Sequence, residues 1–141
     1  TSITPVVTYG LIGLNIAVFV FQLGLSREGL DVFFDAWALV PNQLTASFQG
    51  ALEAPASEWI TLVSSQFLHG GFFHVGGNLL YLWVFGNNIE DRLGHVKFLI
   101  FYLGCGALAG LTQWVFDPSS AVPTIGASGA IAGVMGAYIL R

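Results

Sequence analysis

Charge is what this sequence has least of. Of its 141 residues 9% are charged and 55% hydrophobic, with a mean hydropathy of +0.74, whereas a soluble domain carries about 25% charged residues. That balance excludes an ordinary water-soluble domain and points to a membrane protein. The net charge is only −4, and five of the eight acids fall in one stretch, Ser26–Gly71. Neither a nucleic-acid-binding surface nor a polyanionic tail fits this pattern. A single cysteine, Cys105, excludes an intrachain disulfide and reads as a small packing residue among apolar neighbours. The start at Thr1 lacks a methionine and the basic opening of a secretory signal, and the first apolar run, Val6–Leu25, is too long for a signal core. A trimmed or excerpted N-terminus is the expectation. Histidine is sparse as well: His69, His74 and His95 are the three, and all precede Ser128.

What is present is apolar length. Crossing about 30 Å of hydrocarbon takes about 20 residues, and four segments approach that: roughly Val6–Leu25, Phe72–Ile89, Phe98–Phe116 and Ala127–Leu140. The expected architecture is an all-α, polytopic transmembrane helical bundle in one domain, residues 1–141. Between the first two segments lies a loop of about 45 residues, about 26–71, too long to remain without structure of its own. Gly29–Leu39 and Gln43–Leu52 within it fit short interfacial helices, the first placing Leu30, Phe33, Phe34, Trp37 and Ala38 on one face. Trp37, Trp59 and Trp114 suit headgroup depth. Arg92 and Lys97 lie in the connection Glu90–Lys97 and Arg141 ends the last segment, against Arg27 alone in the long loop. By the positive-inside tendency the N-terminus and Glu90–Lys97 are cytoplasmic, and the long loop and Asp117–Gly126 face outward.

Polar residues inside apolar segments need a reason, because they are costly in the membrane. Asn15 and Gln22 read as interhelical hydrogen-bonding groups, and Gln113 lies near enough to the outer end to reach water. His74 and Asn78 differ, because a spacing of four places an imidazole and a carboxamide on one helical face. His-Glu-x-x-His and clusters of ligand-spaced cysteines or carboxylates are missing, so no metal and no other cofactor is expected.

Ser128 stands in Gly126-Ala127-Ser128-Gly129, where a polar loop gives way to an apolar stretch. Gly129 and Gly133 form a small-xxx-small face, matched by Gly106 and Gly110 on the third segment. Close packing explains the glycines and leaves the hydroxyl unexplained. A serine at a helix start has free backbone N–H groups around it that can stabilise an oxyanion, and His74 and Asn78 can add two side-chain donors if their face meets it. A transporter or channel also uses glycine-rich helices and buried polar groups, but no acidic intramembrane relay is present.

Together His69-x4-His74-x3-Asn78, Phe85-Gly86, Glu90-Asp91-Arg92-Leu93-Gly94 and Gly126-Ala127-Ser128-Gly129-Ala130 resemble the rhomboid family of intramembrane serine proteases. The resemblance implies a rhomboid-like fold of which these residues are the N-terminal four of six core helices. It implies that Ser128 is the catalytic nucleophile, and that His74, Asn78 and the Ser128 N–H form the oxyanion hole. It gives His69, Glu90, Arg92, Gly94, Gly126, Gly129 and Gly133 structural roles, with Glu90 and Arg92 in a polar network at the cytoplasmic end of the second apolar segment. The implied partners are transmembrane protein substrates and the lipid bilayer, with cleavage near the outer face. The family's Ser–His dyad takes its histidine from a later helix, so these residues alone are expected to be inactive. The alternative is an inactive rhomboid-like protein that binds membrane clients. One departure is Trp59-Ile60-Thr61, where the family often has Trp-Arg.

Overall fold

The computed structural model describes residues 3–49 and 55–140. Seven helices run in order among these residues: α1 (Val6–Leu23), α2 (Arg27–Trp37), α3 (Pro41–Phe48), α4 (Pro55–Ser64), α5 (Phe72–Leu93), α6 (His95–Phe116) and α7 (Ser128–Leu140), with a 3₁₀ turn at Ser65–Phe67 after α4. The fold is all-α, as composition and periodicity lead one to expect. Among the described residues the extended pairing is one antiparallel bridge, Leu39 to Thr124.

By length and composition α1 and α6 can each cross a membrane. At 1.5 Å per residue, the 22 residues of α5 reach about 33 Å, but Asn78, Asn87 and Asn88 dilute its apolar character. α7 is shorter, at 13 residues. Large apolar side chains stand exposed around the bundle, among them Val20, Phe73, Ile100 and Phe116, as in a molecule whose outer surface meets lipid. The C-terminal part of the helix expected over Gln43–Leu52, residues 50–52, lies outside the described residues.

Local sequence sets the helix ends. Ser26 caps α2, its hydroxyl accepting the Gly29 N–H at 3.0 Å, with Glu28 in the first turn where the helix dipole favours an anion. Pro41 opens α3 at a position that needs no N–H donor. α1 has no capping side chain of its own. Its first turn is closed instead by Glu90, whose carboxylate accepts the Val7 N–H at 2.9 Å, the Thr8 N–H at 2.7 Å and the Thr8 hydroxyl at 2.8 Å. Ile3 N–H also reaches Asp91 Oδ1 at 2.7 Å. The N-terminus of α1 and the C-terminal end of α5 are thus fastened together at one end of the molecule.

The connection expected over Glu90–Lys97 is much tighter than that. α5 continues to Leu93 and α6 starts at His95, so the chain reverses at Gly94 alone. Gly94 has φ +82°, a backbone region costly for a residue with a Cβ, and its N–H closes α5 on the Glu90 carbonyl at 2.7 Å. α4, unforeseen as a helix, fills the second half of the long loop.

Two cores result. Leu82 of α5, Phe98 and Tyr102 of α6, and Ala130 and Val134 of α7 are fully buried together, with Leu11 of α1 against them. Leu39, Leu44 and Leu62 form a second core with Ala107, Leu111 and Trp114 of α6, which seats the long loop on the C-terminal half of α6. α7 approaches α6 closely because of its glycines. A Cβ on Gly129 would stand 2.5 Å from Ala109 Cβ, and one on Gly133 2.5 Å from Cys105 Sγ. The matching residues on α6 are therefore Cys105 and Ala109. Gly106 also lies on that face, its Cα 3.8 Å from a Cβ on Gly129, with the Gln66 carboxamide on its other side, whereas Gly110, expected there too, instead receives the side chains of Leu39 and Leu62.

Candidate active site

The segment before α7 is held by the rest of the molecule at successive points. Leu39 and Thr124 exchange backbone bonds at 3.1 and 2.7 Å, and Asn42 N–H reaches the Ser120 carbonyl at 2.9 Å. Nearer the helix, Gly126 N–H donates to the Ser65 carbonyl at 2.9 Å and Ala127 N–H to His69 Nε2 at 3.3 Å. Gly126 has φ +109°, so this turn needs glycine for its backbone. It needs glycine for space as well, since a Cβ there would lie 2.7 Å from His74 Nε2 and 3.8 Å from Asn78 Nδ2.

Ser128 follows as the first residue of α7, with an exposed side chain that makes no hydrogen bond among the described residues. The N–H groups of Gly126 and Ala127 are occupied. That of Ser128 is the first of the unpaired donors that every helix presents at its N-terminus.

His74 and Asn78 stand one turn apart at the start of α5, both half-buried. His74 Nδ1 accepts the Gly70 N–H at 3.1 Å, which in a neutral imidazole assigns the proton to Nε2. The nitrogen facing Gly126 is therefore a donor. Asn78 Nδ2 is buried with no hydrogen-bond partner, although buried donors are nearly always paired. Two side-chain donors thus converge on the turn that presents Ser128.

His69 is 1% exposed. Its ring lies edge-to-face with that of His74, centroids 4.9 Å apart, and its Nδ1 is buried without a hydrogen-bond partner. Burial, then the neighbouring His74, push its pKa down from 6.5 to about 4, so the ring stays neutral and its Nε2 can accept. His95 is remote: it pairs with Glu90 at 2.6 Å, about 20 Å along α6 from the level of Ser128. Among the described residues no histidine is placed to take a proton from the Ser128 hydroxyl.

Behind Ser128 lies a cavity of about 170 Å³ whose lining includes Ser65, Gln66, Gln113, Gly126 and Ser128. Gln66 is 3% exposed; its Nε2 donates to the Leu62 carbonyl at 2.8 Å and the Leu103 carbonyl at 3.1 Å, while its Oε1 is buried without a partner. A space of this size with polar groups in its lining can accommodate water. Ser65, Gln66 and Gln113 were not legible as site residues, because their place depends on how the long loop docks on α6.

Glu90 and Arg92 part company. Two residues along a helix turn about 200°, so while Glu90 faces α1 and His95, Arg92 is exposed beside Leu93, Phe101 and Leu140 and forms no ion pair among the described residues. The network expected to hold both contains Glu90, Thr8 and His95.

Comparison with known proteins identifies the family. A model of the Rhomboid domain matches residues 56–141. The chain is 35% identical over 136 residues, 96% of its length, to Rhomboid protease GluP of Bacillus subtilis, of which it covers 24%. It is 30% identical over 135 residues, 92% of its length, to the mitochondrial Rhomboid protein 1 of Saccharomyces cerevisiae, of which it covers 35%. To the mitochondrial Presenilin-associated rhomboid-like protein of Bos taurus it is 33% identical over 115 residues, 79% of its length and 30% of the relative. The chain therefore spans about a quarter to a third of the length of these relatives. With the domain model covering more than half of the chain and a relative aligned along nearly all of it, the chain belongs to the rhomboid family of integral membrane proteins.

Proposed function

We propose that this chain carries the nucleophile and oxyanion site of an intramembrane serine endopeptidase that cleaves transmembrane proteins near the outer membrane face. Ser128 Oγ attacks the scissile carbonyl. The resulting oxyanion is held by the Ser128 N–H, His74 Nε2 and Asn78 Nδ2, groups that donate without taking a proton. The observation that carries this reading is the buried, unpaired Asn78 Nδ2 beside His74 Nε2 at the Ser128 turn: a donor pair awaiting an acceptor. The family's Ser–His dyad implies a base histidine from a later helix, in keeping with His74 Nδ1 being engaged by Gly70, His69 Nε2 by Ala127 and His95 by Glu90.

Hydrolysis of the acyl-enzyme needs water at membrane depth, and the cavity at Gln66 and Gln113 supports its presence there. A substrate helix must unwind locally, because its peptide groups are shielded and already hydrogen-bonded. Segments with helix-weakening glycine or proline near the outer face are the expected substrates.

A serine-directed fluorophosphonate tests the assignment. Full-length wild-type protein should be labelled at Ser128, its Ser128→Ala variant should not, and the 141-residue segment alone should remain unlabelled. Equal labelling of wild type and Ser128→Ala removes Ser128 as the nucleophile. Absence of labelling in the folded full-length protein favours a client-binding member of the family.

A further inference from the structure

Gln22 lies in the last turn of α1 and is 5% exposed. The donor and acceptor of a carboxamide there could be met by separate neighbours, yet both engage the backbone of one residue. Gln22 Nε2 donates to the His69 carbonyl at 2.7 Å, and the His69 N–H donates to Gln22 Oε1 at 3.2 Å. A two-point bond of this kind restricts rotation of the segment as well as its distance from α1. The residue so held is the one whose ring accepts the Ala127 N–H. With the Gly126 N–H on the Ser65 carbonyl, both peptide groups before Ser128 are anchored to the segment that Gln22 clamps.

We infer that Gln22 is a positioning residue for Ser128: by clamping both backbone groups of His69 it sets the ring that holds the Ala127 N–H, and so fixes the Ser128 hydroxyl and N–H against His74 and Asn78. The inference rests on the reading of Ser128 as a nucleophile. It separates two otherwise similar asparagine- and glutamine-type groups in α1. Asn15, also fully buried, bonds within its own helix to the Leu11 carbonyl at 2.7 Å and has no such line to the serine turn.

The test compares wild type, Gln22→Leu and Gln22→Glu in the full-length protein. It measures the rate of fluorophosphonate labelling at Ser128, and kcat and KM on a transmembrane model substrate, across pH. Gln22→Leu removes both bonds and should lower kcat and the labelling rate between about ten- and a hundredfold, the scale of an ångström-level misplacement, with KM unchanged. Gln22→Glu distinguishes a clamp from a packing role. A protonated carboxyl offers one O–H donor and one carbonyl acceptor, reproducing both bonds, whereas a carboxylate loses the donor. Activity of Gln22→Glu should therefore approach wild type at low pH and fall as the introduced group ionises. His69 and, next to it, His74 are the titratable groups facing this site, and the wild-type profile over the same range accounts for them. Recovery on acidifying the same sample also shows that the variant is folded.

Wild-type labelling with Gln22→Leu reacting at the wild-type rate overturns the positioning role and leaves the nucleophile intact. A Gln22→Glu profile that parallels wild type at every pH overturns it too. Failure of wild type itself to label overturns both readings together.

Discussion

Asn78 shows how function and stability part at a single residue. A buried amide donor without a partner costs about 1–3 kcal/mol, and Asn78 Nδ2 is such a donor. If its use is to meet an oxyanion, the Asn78→Ala variant of the full-length protein should lose about a hundred- to a thousandfold in kcat. The same variant should melt at the wild-type temperature or above it, because the substitution deletes an unsatisfied group. Thermal unfolding in detergent beside a cleavage assay checks both halves; a lowered melting temperature with unchanged kcat would make Asn78 a structural residue. The His74–Asn78 pair was legible in the sequence because helical spacing alone puts two such residues on one face. The links from Gln22 to His69 and from His69 to Ala127 were not, since they join residues 47 and 58 positions apart and leave no periodic trace.

Elements repeat the contrast between local and distant information. Apolar runs announced α1, α5, α6 and α7 to within a few residues at most ends, and Ser26 and Pro41 mark the starts of α2 and α3 by local chemistry. α4 was hidden because its sequence mixes polar and apolar residues behind Pro55. The tight reversal at Gly94 was hidden because a charged, polar stretch reads as loop even where it is helical. The α6–α7 contact was legible as small residues in register, but which residues of α6 meet α7 depends on the rotation of that helix. That rotation is open to a direct test. Gly133→Ala places a methyl 2.5 Å from Cys105 Sγ and should destabilise the protein by about 1–3 kcal/mol, the usual cost of overpacking. Adding Cys105→Gly should restore most of that loss, because the two sites share one contact. A Cys105→Gly change that gives no relief would place α7 against another face of α6.

At the scale of the whole molecule the two ends differ in character. One carries the α1–α5 clasp and the Gly94 reversal; the other carries the long loop, braced on the pre-serine segment through Leu39–Thr124 and on α6 through the Trp114 indole N–H on the Thr45 hydroxyl at 2.9 Å. Phe48 lies between Trp59 and Trp114, ring centroids 5.1 and 5.3 Å away, a grouping suited to the headgroup layer. By the positive-inside tendency the clasp end is expected in the cytoplasm, which single cysteines in a Cys105→Ala background can decide. On intact cells a membrane-impermeant maleimide should label Ser119→Cys, and should label Lys97→Cys only after permeabilisation. The opposite pattern reverses the orientation and puts Ser128 near the inner face. The clasp has a consequence for biosynthesis. Glu90 closes the first turn of α1 from 82 residues downstream of Thr8, and at about 5–20 residues per second the ribosome needs on the order of ten seconds to make that stretch. Until Glu90 emerges, the first helix sits at the translocon with its leading turn open, so completion of α1 waits on the synthesis of α5.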